Sequence, residues 1–287
     1  IWAYMGIAIL TYEFEISKRT YWNIAYFIIA LICIYIVKGG AADNLLSMGS
    51  QNNISAYVIF FVIMGYLSIM KEKRAIKYYA GFLTLAICLW TGSRAGIISA
   101  SLLLVGTFLY NFLAIKGQKI KSLAKWCVLI CFAVWAVTHF FGKYLLGLTA
   151  KLDRYGSGSI RTEIWREYIQ GIEENIGNFF LGANTSNGTY RWLSFYNGNT
   201  HNSFLMLHAK FGLLALGLLI FLIFLVVHKA IKEKNYIMII ILLAASARMF
   251  YDWIAFPGLY DVLFWYMYLY ILSRKDYEDR RLEQLIE

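Results

Sequence analysis

Four groups of residues have types and spacings that can do chemistry. Thr91-Gly92-Ser93-Arg94-Ala95-Gly96 opens an apolar run. Glycines allow close backbone approach, a helix start offers free N–H groups to an anion, and an arginine adds a planar fork. The combination describes a phosphate cradle, with Ser93 in support of Arg94; the alternative is an interfacial arginine that snorkels beside a plain turn. Ser159-Ile160-Arg161-Thr162-Glu163-Ile164-Trp165 reads as a helix start. With Ser159 as N-cap, Arg161 puts positive charge in the first turn, where the helix dipole disfavours it. Either an anion wants that charge there, or Glu163, Glu167 or lipid headgroups neutralise it.

Thr200-His201-Asn202-Ser203-Phe204-Leu205 is the third group. An imidazole within reach of solvent can take a proton from an attacking hydroxyl near neutral pH, and Asn202 can orient it or the substrate; a lone histidine at a helix start is also often a cap. His208 lies two turns on, but no carboxylate stands at ligand spacing beside the pair, so no metal site is expected. The fourth group is Arg248 and Asp252, at i, i+4 in an apolar run. Ionisable residues inside a membrane face one another or a cavity, so a structural ion pair is expected first and a cavity lining second. His139 and Lys143 read as interfacial.

The elements that position these groups are membrane helices. The 287 residues are 60% hydrophobic, 18% aromatic and 15% charged, with a mean hydropathy of +0.57, far too apolar for a soluble domain. A span needs roughly 17 to 25 apolar residues. Such runs lie at 21–37, 54–70, 75–91, 95–115, 126–147, 211–227, 236–256 and 259–272. Residues 1–16 read as the tail of a further span, so the chain is expected to be truncated at its N-terminus. The expected class is an all-α, polytopic integral membrane helix bundle: N-terminal spans over 1–147, one large outer loop over 148–203, and C-terminal spans with a cytoplasmic tail over 204–287.

Charge supports one orientation. The net charge is +10, yet most of the basic residues fall in alternate loops: Lys18 and Arg19, Lys71 to Lys77, Lys116 to Lys125, Lys229 to Lys234, and Arg274 to Arg281. Basic loops stay in the cytoplasm, so the excess reports topology and not a nucleic-acid partner. The candidate groups then share the opposite, outward face. Cys33, Cys88, Cys127 and Cys131 all fall inside spans, which argues against a disulfide or a zinc site. In the long loop Ile160, Ile164, Tyr168, Ile172 and Ile176 recur every four residues, predicting a helix lying on the outer membrane surface. Residues 182–198 interleave polar side chains with Tyr190, Trp192, Phe195 and Tyr196, a mixture that suits sugars as well as it suits a plain loop.

In order, spacing and topology these landmarks resemble the O-antigen ligase and polymerase superfamily: Thr-Gly-Ser-Arg-Ala-Gly opening a span, Arg161 and Trp165 early in a large outer loop, and His-Asn-Ser-Phe-Leu closing it ahead of Gly212-Leu213. The segment Asn178 to Asn184 departs from the Pro- and Gly-rich composition usual there. The resemblance implies a bundle like those of GT-C-type glycosyltransferases, in the bacterial inner membrane with its site facing the periplasm. It implies that Arg94 and Arg161 hold the pyrophosphate of an undecaprenyl-linked glycan and that His201 activates the acceptor hydroxyl, supported by Ser93, Asn202, Arg191, Arg248 and Asp252. Transfer would be inverting and would need no metal or other cofactor. A polymerase of O-antigen or capsule repeat units is expected, with a chain-length regulator protein as partner; a ligase onto lipid A core, as in lipopolysaccharide assembly, is the alternative. A glycolipid transporter or flippase stands further off, since no internal repeat is found.

Overall fold

The computed structural model describes residues 2–13, 18–46, 51–69, 79–114, 160–185 and 190–272. Among them there is no strand, and twelve helices follow in order. Helices α1 (Trp2–Glu13), α2 (Lys18–Val37), α3 (Ala42–Leu45), α4 (Gln51–Ile69), α5 (Tyr79–Trp90) and α6 (Arg94–Ala114) form the first half. Helices α7 (Ile160–Glu173), α8 (Ile176–Leu181) and α9 (Arg191–Phe195) occupy the long connecting loop. Helices α10 (Ser203–Lys232), α11 (Tyr236–Phe250) and α12 (Asp261–Leu272) complete the bundle. The expected span over 126–147, with His139 and Lys143, the cap at Ser159, and the basic segments around 71–77, 116–125 and 274–281 lie outside the described residues.

Within α2, α6 and α10 lie stretches long and apolar enough to cross a bilayer, and α1, α5, α11 and α12 are shorter apolar helices. The protein is an integral membrane helix bundle. Its centre is α4, buried almost all round from Val58 to Leu67, with α2, α5, α6, α11 and α12 packed on it. Since lipid is as apolar as leucine, close packing and polar contacts hold such helices together. Ser99 donates to the Ala244 carbonyl at 2.7 Å, joining α6 to α11, and Tyr260 donates to the Ala56 carbonyl at 3.0 Å, joining the start of α12 to α4.

Three boundaries differ from those read along the sequence. The run at 236–256 ends as a helix at Phe250. Although Trp253 to Phe256 is apolar, its backbone is held in a turn: Ser203 Oγ accepts from the Ile254 and Ala255 N–H groups, and the Asp261 carboxylate accepts from those of Phe256 and Gly258. The run at 211–227 lies within a longer helix starting at Ser203, interrupted at Gly212, whose φ of 73° is left-handed backbone that only glycine adopts readily. The apolar stripe of α7 is partly covered by the loop that carries it. Ile164 and Tyr168 pack with Ala183, Tyr190 and Leu193 into a small core of the loop itself, while Ile176 starts the separate helix α8.

Candidate active site

The turn before α6 is tight because Gly92 takes φ 60°. Ser93 Oγ then accepts from the Gly96 N–H at 3.2 Å and from Ser55 Oγ at 2.9 Å, capping α6 and tying it to α4. A Cβ on Gly96 would lie 2.7 Å from Ser55 Cβ. Gly96 therefore serves helix packing and Ser93, buried, serves the cap. What remains of the expected cradle is Arg94, the first residue of α6, half-buried and with no hydrogen-bond partner among the described residues.

Arg161 is brought to the bundle by Trp165, one turn further along α7. The Trp165 indole N–H donates to the Thr200 carbonyl at 2.9 Å, and its ring packs edge-on against Phe250 with centroids 5.2 Å apart. One side chain thus joins α7, the loop before α10 and the end of α11. Glu167, a half-turn further, accepts from the Trp192 and Leu193 N–H groups at 2.9 and 3.0 Å and so caps α9, whose free amides attract a carboxylate. Arg191, at the start of α9, lies exposed over the Trp192 ring at 4.9 Å. It makes none of the contacts that unite the other candidate residues.

His201 sits in a strained corner. Its φ is 49°, after Asn197 at 50° and Gly198 at 74°, and the conformation is held by donation from its own N–H to Asn199 Oδ1 at 2.7 Å. Non-glycine residues in this region are uncommon and gather at functional positions. The ring meets Tyr196 edge-on at 4.9 Å. Its Nδ1 is buried without a hydrogen-bond partner and lies 3.8 Å from Asp252 Oδ1, within ion-pair reach. Asn202 does not face this ring with its carbonyl. Its Oδ1 accepts from the Phe204 and Leu205 N–H groups at 2.9 and 3.1 Å, making Asn202 the N-cap of α10.

The expected ion pair of Arg248 and Asp252 forms. Both terminal nitrogens of Arg248 reach Asp252 Oδ2 at 3.2 Å, and one also donates to the Asn52 carbonyl at 2.8 Å. Arg248 is fully buried and its Nε lacks a partner. The other Asp252 oxygen accepts from the Trp253 N–H at 3.1 Å and faces His201. The Asp252 main-chain carbonyl accepts from Ser203 Oγ at 2.8 Å, so the same segment that carries His201 fixes Asp252. Sequence reading singled out both residues without pairing them, because no local spacing links positions so far apart in the chain.

Charge gives the cluster its character. Burial pulls the Arg161 guanidinium below its ordinary value; Asp252 opposes this, while the neighbouring Arg248 and Arg94 charges push it further down. For Asp252 burial works upward, but the His201 ring and the charges of Arg248 and Arg161 outweigh it and hold the carboxyl below the usual range. Asp252 is thus bonded to Arg248 and feels the charge of Arg161, which in turn feels that of Arg94, and an arginine cannot escape by losing its proton. The planar fork of an arginine has the geometry to bind a phosphate.

His208 has another role. Its Nδ1 meets Tyr168 Oη at 2.6 Å and its Nε2 meets the Phe179 carbonyl at 2.8 Å. The carbonyl can only accept, so Nε2 carries the hydrogen and Nδ1 accepts from the tyrosine. Both nitrogens are taken in a crosslink between α7, α8 and α10. Among the described residues no three His, Cys, Asp or Glu side chains gather as a metal-ligand set.

An apolar helix bundle that gathers arginines, a histidine and a carboxylate near its helix ends is a membrane protein with a charged cluster. The family model described as O-antigen ligase matches residues 79–222, half of the chain, and the chain belongs to this family. The match contains Arg94, Arg161 and His201, while Arg248 and Asp252 lie beyond it. No curated protein and no solved structure matches the chain. Membership places the protein among inner-membrane proteins of O-antigen and related polysaccharide assembly, with ligase- or polymerase-type function on lipid-linked glycans.

Proposed function

We propose that the protein is an inverting glycosyltransferase that polymerises undecaprenyl-pyrophosphate-linked repeat units on the outer face of the bacterial inner membrane. The observation that carries this reading is the convergence of Arg94, Arg161, His201 and Asp252, from four separated chain segments, on a basin with more positive charge than its own carboxylate balances. Outside the cytoplasm there is no pool of nucleotide sugars, so a donor must arrive activated. A lipid pyrophosphate is both leaving group and anion.

In this reading Arg94 and Arg161 bind the pyrophosphate and stabilise the charge that develops on it. His201 Nε2 takes the proton of the acceptor hydroxyl, and Asp252, held by Arg248, orients the ring and balances the imidazolium. The acceptor oxygen forms its bond to the anomeric carbon from the face opposite the leaving group. The bond from that carbon to the pyrophosphate oxygen breaks, and undecaprenyl pyrophosphate departs with the electron pair. No metal is needed where guanidinium groups carry the anion.

The test is direct: purified protein in detergent, given lipid-pyrophosphate repeat units and EDTA, lengthens the glycan, and His201→Ala abolishes lengthening while the protein still purifies as a folded species. Full activity in that variant removes His201 from the mechanism. Polymer banding in a deletion strain assigns the acceptor. Collapse to one repeat unit supports the polymerase; loss of polymer from lipid A core, with lipid-linked polymer retained, makes the protein a ligase.

A further inference from the structure

Among the described residues of the outer loop, the element most exposed in its apolar side chains is α8. Ile176 is 72% and Leu181 78% exposed, and Phe180 lies open beside them. No charged side chain occurs from Asn175 to Gly182. The helix nevertheless has a fixed seat. A Cβ on Gly212 would fall 2.2 Å from the Phe180 carbonyl, and one on Gly182 would fall 2.3 Å from the His208 carbonyl. Helix α8 therefore rests its backbone against α10 at the Gly212 break and turns its apolar side chains away. On α10 the same neighbourhood presents Phe211 and Leu214, the latter 74% exposed, and the exposed apolar surface continues along the helix.

The depth of this seat follows from α10. From Leu213 to Lys232 the helix measures about 30 Å at about 1.5 Å per residue, the thickness of a hydrocarbon core. Lys232, exposed in the last turn, marks one edge, since lysines reach for headgroups. Gly212 then lies at the other edge, and α8 with it. An uncharged, aromatic-bearing helix at that depth, continuous with a lipid-facing surface, is an interfacial anchor.

We infer that α8 inserts Ile176, Phe180 and Leu181 into the acyl-chain border of the leaflet opposite Lys232, and that this insertion sets the height of the candidate site. The link runs through two contacts. Asn178 donates its amide to the Gly171 carbonyl of α7 at 2.7 Å, and His208 bridges the Phe179 carbonyl to Tyr168 of α7. Helix α7 carries Arg161, so the bilayer, through α8, fixes where that guanidinium stands relative to lipid phosphates. Insertion itself does not depend on the catalytic reading; only the name of the leaflet rests on the outward orientation proposed above.

The experiment uses the full chain with its four cysteines replaced by alanine and one cysteine returned at Leu181, or at Phe180 should the first variant fail to fold. It is labelled with an environment-sensitive fluorophore and reconstituted into phosphatidylethanolamine and phosphatidylglycerol vesicles. A probe at Glu173, exposed on α7, serves as reference. Insertion predicts that the α8 probe is quenched by lipids with a nitroxide near the headgroup and shielded from aqueous iodide, while the Glu173 probe behaves oppositely. Equal iodide quenching of both probes overturns the inference. Shielding of the α8 probe from iodide and nitroxide lipid alike also overturns it, because the face is then covered by protein. Neither readout uses substrate, so the outcome stands apart from any failure of the proposed glycosyl transfer.

Discussion

Asp252 divides its oxygens between partners. Oδ2 holds the fully buried Arg248, and Oδ1 faces the unpartnered Nδ1 of His201. The two sides predict separable effects. Asp252→Asn leaves a buried guanidinium without its counter-charge, which costs about 3 to 5 kcal/mol, and it removes the group that orients the histidine. In detergent the variant should melt well below the parent at neutral pH. Because the folded carboxyl is held below its ordinary value, its contribution is complete above the unfolded value of about 3.9 and is lost as pH falls through the folded value. The gap in melting temperature should therefore narrow in acid; a gap independent of pH would mean that ionised Asp252 contributes nothing. His201→Ala touches no hydrogen bond of the ring to protein, so its melting temperature should stay close to the parent's while the transfer rate falls roughly 100-fold or more. Arg94→Lys keeps the charge and loses the fork. It should raise KM for the lipid-linked donor roughly tenfold, and an unchanged KM would show that bidentate contact with phosphate is not used.

At the scale of elements, residue types announced the candidate groups better than their roles. Ser93 and Asn202 stood beside Arg94 and His201 in the sequence, and both prove to be helix caps. A capping side chain and a ligand-binding one have the same composition, and only the direction of the side chain separates them. The alternation of α7 was legible, but not what its stripe would meet, since a loop core and a lipid surface both ask for isoleucine at every fourth position. Trp165 was visible as a motif residue four positions after Arg161. Its reach to the Thr200 carbonyl was not, because that contact closes between segments far apart in sequence. Trp165→Phe tests the contact. The aromatic packing on Phe250 is kept and one hydrogen bond worth about 1 kcal/mol is lost, so the fold should survive with a small fall in melting temperature. The transfer rate should drop more steeply than stability, as Arg161 loses its alignment with His201. Equal activity in the variant would show that α7 is positioned by its loop core alone.

For the molecule as a whole, apolar run length and the placement of lysines and arginines were enough to read a helical membrane bundle, because a bilayer imposes both regularities on any chain that crosses it. Where the reading of spans went astray, tertiary contacts had replaced the bilayer as the cause. Ser203 and Asp261 bind the backbone of 254–258 and stop α11 short of the apolar residues that follow it. The charge pattern also makes a claim about the entire protein: the segments bearing Arg94, Arg161 and His201 share one side, and the Lys229 to Lys234 segment faces the other. Ser194, on α9, and Lys234, between α10 and α11, are both exposed and stand at the two ends of α10. With the native cysteines replaced by alanine, Ser194→Cys should react with a membrane-impermeant maleimide on intact spheroplasts, and Lys234→Cys only after lysis. The opposite pattern would put the basic loops outside and the arginine basin in the cytoplasm. Nucleotide sugars are available there, and the argument for a lipid-pyrophosphate donor would lose its premise.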